Sequence, residues 1–213
     1  MKLINKILAV SAISLSLMPA IASADCGKTR LADFDWNSAN VHTGIVQFIL
    51  EHGYGCEVET TRGSTTPIMA AHYDSQLDVV TELWYDNIVT QYDAVEAAGT
   101  IKNIGINTPD SQQAFYVDRN TVDKYNIKSV LDMNNPEIAA LFSDPENPDM
   151  GRMVSCIGGW TCYTINHVKQ RVYGLDKFYT NFDPGSSGAL AAEIAGAFAK
   201  DRPILPTIGH QQH

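Results

Sequence analysis

The chain predicts an α/β protein, and three observations carry the prediction. Short alternating runs, TRLADF at 29–34 and CEVET at 56–60, flank a stretch in which apolar residues recur at helical spacing. The strand–helix alternation starts again beyond residue 108, as expected of a second α/β lobe. The third observation is size: 213 residues, 45% of them hydrophobic, are enough for one sizeable core or for two small lobes.

Taken in order, residues 1–24 read as a secretory signal. Lys2 and Lys6 form the positive start, Ile7 to Ile21 the apolar run, and Ala22-Ser23-Ala24 the small-residue cleavage site. The run is too short and too interrupted for a membrane span. The mature chain is expected to start at Asp25 and to be more acidic than the formal charge of −9, since two lysines leave with the signal. Such acidity argues against nucleic acid and anionic membranes as partners.

The first lobe is expected over 25–107 and the second over 108–213. After the strand 29–34, Ser38 is expected to cap a helix over 39–52, with Val41, Ile45, Phe48 and Ile49 on one face. Gly53 and Gly55 end it, and CEVET returns as a parallel strand, completing a βαβ unit. Thr66-Pro67 reads as the start of a short helix reaching Tyr73. Leu77 to Leu83 reads as a buried strand that delivers Trp84-Tyr85-Asp86-Asn87 at its carboxyl end, where ligands of open α/β sheets bind. Trp36 follows the first strand in the same way, so the two indoles are expected to face one crevice. A helix is predicted over 89–99, strands over 101–106 and 114–117, short helical pieces over 121–125, 129–133 and 136–142, and an acidic loop over 143–150. A final helix over 188–200, capped by Gly185-Ser186-Ser187, and a strand over 203–208 complete the pattern.

All four cysteines lie in the exported part, where disulfides persist. They form two well-separated sets, so of the three possible pairings Cys26–Cys56 and Cys156–Cys162 are expected. Loop closure predicts about 3–4 kcal/mol for the first and about 2–2.5 kcal/mol for the second. No C-x-x-C pair or clustered histidine points to a metal.

The stretch VSCIGGWTCYTINH, residues 154–167, is the densest in chemistry. Gly158-Gly159 permits backbone angles that bring the chain close to a ligand. The helix that opens after Trp160 leaves first-turn N–H groups unpaired, which suits an anion. An indole face attracts a cation. An anion grip beside such a ring fits a small zwitterion.

Four pieces carry a resemblance: WNSANVHTGIVQFILEHGYGCEVE, LDVVTELWYDN, the segment from AFYV to IKSVLDM, and SCIGGWTCYTINH. With them the chain resembles the substrate-binding proteins of ABC transporters for glycine betaine and related quaternary amines. The resemblance implies a type II periplasmic-binding-protein fold, two α/β lobes closing on a ligand. It implies a periplasmic, monomeric protein that hands its ligand to an inner-membrane ABC permease, with no cofactor and no catalysis. It makes Trp160 a cage wall, Thr161 and Cys162 the amides that hold a carboxylate, Trp84 a second wall and Trp36 another; Tyr85, beside Trp84 in sequence, is expected to line the same crevice. Such chains continue into a strand that returns to the first lobe, and this one stops at ILPTIGHQQH. The return segment is therefore expected to be missing.

Two other readings stand beside it. An exported disulfide-containing redox or hydrolytic enzyme would carry thiol or hydrolase chemistry, but the chain shows no G-x-S-x-G, H-E-x-x-H or phosphate-binding glycine loop. A folded remnant without a ligand is the other.

Overall fold

The computed structural model of the protein describes residues 26–210. The expected signal segment lies outside them.

The first strand, β1 (Lys28–Phe34), buries Leu31, Ala32 and Phe34. It runs parallel to β2 (Glu57–Gly63) on one side and to the two-residue β3 (Val79–Val80) on the other, giving the order β2-β1-β3. Helix α1 (Asn37–Ile49) connects β1 to β2, as the βαβ reading requires. Ala32, Phe34, Ala39, Ile68, Met69 and Leu77 form the core beneath this sheet, with α2 (Thr65–Tyr73) contributing two of them. The predicted strand over 77–83 shrinks to β3, because the chain turns at Leu83 to project Trp84.

Four local expectations are corrected here. Trp36, not Ser38, occupies the extended position before α1, and Ser38 sits inside the first turn with its hydroxyl turned to Glu82. Ser64 takes the equivalent place before α2, two residues earlier than Thr66. The apolar stripe of α1 does not face the core: Val41, Ile45, Phe48 and Ile49 are exposed, Phe48 to 63%, while Ala39 and Thr43 are the buried residues. Thr43 is buried because its hydroxyl finds both the Ala32 carbonyl and the Thr81 hydroxyl. Helix α3 (Val89–Ala97) follows, but residues 101–106 are irregular rather than a strand, with Ile104 exposed to 88%.

The second sheet has the order β4-β8-β6-β5, with β7 also paired to β6. Its strands are β4 (Gln112–Phe115), β5 (Ser143–Asp144), β6 (Asn147–Val154), β7 (Tyr179–Phe182) and β8 (Leu205–His210). The predicted acidic loop 143–150 is in fact the β5–β6 hairpin. Asp144 ties its turn by accepting from the Glu146 amide and from Arg152. β7 had no counterpart in the sequence reading; its run Tyr-Thr-Asn-Phe is short and polar at the centre. The helical pieces between β4 and β5 are α4 (Arg119–Tyr125), a 3-10 turn closed by a Ser129–Asp132 capping box, and α5 (Pro136–Ala139). Helices α6 (Thr161–Val172) and α7 (Ser187–Phe198) follow β6 and β7. Met153, Phe142, Leu175, Tyr179 and Leu205 centre the second core. Both expected disulfides, Cys26–Cys56 and Cys156–Cys162, are formed.

Candidate functional site

The carboxyl ends of β1 in the first sheet and of β6 and β8 in the second meet at a common cleft. β1 ends in Phe34, so Trp36 leaves the sheet there and stacks on Phe34, centroids 4.5 Å apart and planes 8° from parallel. β6 ends in Val154, so the loop carrying Cys156, Gly158, Gly159 and Trp160 leaves the second sheet at the matching edge. Trp160 meets Trp36 edge-on, centroids 5.5 Å apart. Trp84 lies against the backbone of β8: a methyl group at Gly209 would stand 2.7 Å from its ring. Glycine there leaves room for the indole to approach the strand this closely.

These three rings border one cavity of about 230 Å³, a small volume beside the roughly 300–1,000 Å³ of most ligand pockets. Four helices begin on its wall, represented by Asn37 and Ser38 of α1, Thr65 of α2, Thr161 and Cys162 of α6, and Ser187 of α7. First-turn amides and the positive ends of helix dipoles therefore converge on the space. The amides of Thr161 and Cys162 find no acceptor among the described residues, whereas that of Tyr163 bonds the Trp160 carbonyl. The Cys156–Cys162 bridge fixes the loop to the first turn of α6.

The loop is also fastened to the first turn of α2. Thr66 donates to the Gly159 carbonyl through its amide and hydroxyl, both 3.3 Å. Gly159 has φ +95°, and a methyl group there would stand 2.6 Å from the Ser64 hydroxyl. Asn87 donates to Gln113 across the cleft at 3.0 Å.

Every cleft tryptophan has its N–H satisfied by a carboxylate. Trp160 Nε1 donates to Asp35 at 2.6 Å. Trp36 Nε1 and Trp84 Nε1 both donate to Glu82 Oε1, at 2.7 and 3.0 Å. With the N–H edges bound away and one face of Trp36 stacked on Phe34, the indoles turn their remaining ring surface to the cavity.

Of the residues singled out from sequence, Trp36, Trp84, Trp160, Thr161 and Cys162 are brought together. Tyr85 is not: its hydroxyl donates to Asp93 at 2.7 Å and its ring meets Tyr92 edge-on, so it turns toward α3. That bond pushes the Tyr85 hydroxyl pKa up to about 12, since ionising it would place two negative charges side by side. Sequence reasoning missed Glu82 and Asp35, and it missed Thr207, Ile208 and Gly209, which close the cavity from β8. Glu82 had a signal, a lone acid between the apolar Val79-Val80 and Leu83-Trp84. The β8 residues had none, because their place depends on pairing with β4.

Comparison with known proteins identifies the family and the fold. The family model for the substrate binding domain of ABC-type glycine betaine transport systems matches residues 27–208. The glycine betaine/proline betaine-binding periplasmic protein of Salmonella typhimurium is 25% identical over 101 residues, which is 47% of this chain and 30% of the relative. The protein of the same name from Escherichia coli is 28% identical over 114 residues, 52% of this chain and 34% of the relative. Among solved structures, lactococcal OpuAC complexed with glycine betaine aligns with a TM-score of 0.65 at 17% identity, covering 87% of this chain and 66% of that one. A choline binding protein complexed with choline aligns with a TM-score of 0.66 at 17% identity, covering 87% and 60%. The matched stretches thus span about a third of the curated relatives and under two thirds of the solved chains. At these identities the structures speak for the fold, which is the two-lobed α/β fold expected from sequence. With nearly all of its described residues matched by the model, the chain belongs to the family of substrate binding domains of ABC-type glycine betaine transport systems.

Proposed function

We propose that this protein captures glycine betaine or a close quaternary amine in the cleft and presents it to an inner-membrane ABC permease. In this reading it works in the periplasm as a monomer, without turnover and without a cofactor. Its two lobes divide near residues 107 and 108, a division supported by the strands of one sheet lying before residue 81 and those of the other after residue 111.

One observation carries the reading: three indoles and the first turns of four helices meet at one small cavity. A quaternary ammonium has no N–H to donate, so aromatic faces are the surface that suits it, each contributing about 0.5–2 kcal/mol according to how dry it is. A carboxylate suits the amides of Thr161 and Cys162 and the hydroxyls of Thr65 and Ser187 around them. Trp36, Trp84 and Trp160 hold the cationic end and the α6 turn the anionic end.

Tryptophan fluorescence tests this directly, because the only three tryptophans of the chain all line the cavity. Titrating Asp25–His213 with glycine betaine, then choline, is expected to give a saturable change in the micromolar range that Trp160→Ala abolishes. No saturable change with either ligand, in a protein that still unfolds cooperatively, would overturn the proposal.

A further inference from the structure

Glu82 is 3% exposed and does not itself line the cavity, yet more donors converge on it than on any neighbouring acid of the site. Its Oε1 accepts from Trp36 Nε1, Trp84 Nε1 and Ser38 Oγ, the last at 3.0 Å. Its Oε2 stands 2.9 Å from His42 Nδ1. The two indoles come from segments far apart in sequence, one after β1 and one after β3, and this single oxygen is what their N–H edges share. Satisfying two part-buried indole N–H groups explains an acceptor at this place. It does not by itself explain a charge, since a glutamine carbonyl would accept as well.

We propose that Glu82 is the positioning and charge-selecting residue of the cleft, setting the orientation of Trp36 and Trp84 together and making both ring faces prefer a cation. The inference rests on the quaternary-amine reading given above. Two physical effects act in the same direction. An N–H that donates to an anion polarises its ring, adding to the negative face that a cation meets. The carboxylate also contributes its own field, which solvent screens little because the group is buried. The Trp160–Asp35 bond repeats the device on the facing loop, with the carboxylate next to Trp36 in sequence.

The test separates charge from shape. Glycine betaine and tert-butylacetate have the same outline, but only the first carries a positive head. Calorimetric titration of the full mature chain with both gives a discrimination ratio. Wild type is expected to favour glycine betaine strongly, and Glu82→Gln, which keeps an acceptor, to lower that ratio by about tenfold or more. Glu82→Asp keeps the charge but withdraws it by one methylene, and is expected to weaken glycine betaine while leaving the ratio nearer wild type. If Glu82→Gln fails to unfold cooperatively, Glu82→Asp and wild type still decide: a wild-type ratio near unity, or an Asp variant that binds like wild type, overturns the proposal. An unchanged ratio in a folded Glu82→Gln overturns it too and leaves the quaternary-amine reading standing. If wild type binds neither ligand, that reading falls and this inference with it.

Discussion

Two glycines show how one missing side chain serves different ends. At Gly209 the space a methyl group would need is filled by the Trp84 ring, 2.7 Å away. At Gly151 it is filled by the Tyr179 ring at 2.6 Å and by the Ala139 carbonyl at 2.8 Å, both deep in the second core. Gly209→Ala is expected to tilt Trp84 off β8 and lower ligand affinity by about tenfold or more, with a stability loss within about 1–3 kcal/mol. Gly151→Ala is expected to lose at least as much stability, because a backbone carbonyl cannot step aside, while the affinity of the folded fraction stays put. Calorimetry and urea unfolding on both variants check the contrast; equal effects on affinity would refute it. Apart from Glu82 and Asp35, the tryptophan-centred half of the site was legible in sequence, because each indole follows a strand end or a glycine pair. What supports those indoles was not, since Gly209 acquires its meaning only when β8 lies beneath Trp84.

Among the elements, α1 departs most from its sequence pattern. Its apolar stripe is one that periodicity assigns to a core, yet Val41, Ile45, Phe48 and Ile49 face outward and Thr43 faces in. Spacing identifies a face but not its direction. Here the direction is set by Ala39, small enough for the helix to approach the sheet, and by the two hydrogen bonds of Thr43. Phe48→Ser is therefore expected to change stability by no more than about 0.5 kcal/mol. Thr43→Ala is expected to cost about 1 kcal/mol or more, because the Ala32 carbonyl and Thr81 hydroxyl lose a buried partner. Urea unfolding of both variants decides, and a larger loss for Phe48→Ser would contradict the observed orientation. The same limit explains the other differences. The βαβ order, α2, α3, α6 and α7 were readable from spacing and capping residues. The β5–β6 hairpin and β7 are built on polar runs whose strand character comes from pairing across the sheet.

At the scale of the whole molecule, the second sheet is clamped by a buried ion pair. Asp144 and Arg152 are both nearly buried, with Arg152 Nε 2.9 Å from Asp144 Oδ1, and Thr180 donates to the other carboxylate oxygen. Burial pushes the Asp144 carboxyl up, but the bonds from Thr180, the Glu146 amide and Arg152 together outweigh it and hold the group below the ordinary carboxylate range. A depressed folded-state pKa means stability that is fully present above the unfolded value of about 3.9 and is lost as pH falls through the folded value. Urea midpoints are accordingly expected to drop as pH is lowered from 5 toward 3. Asp144→Asn should be less stable at pH 7, since Arg152 loses its partner, and should show a shallower acid decline; an equally steep decline would place the acid sensitivity elsewhere. The position of β8 has a consequence of a different kind. All three indoles have been synthesised by residue 160, but the strand that gives Trp84 its backing arrives only with residues 205–210. A cleft of the proposed kind thus rests on a strand that follows all three of its indoles in the chain, so its aromatic wall is backed by the part of the sequence farthest from the first of them.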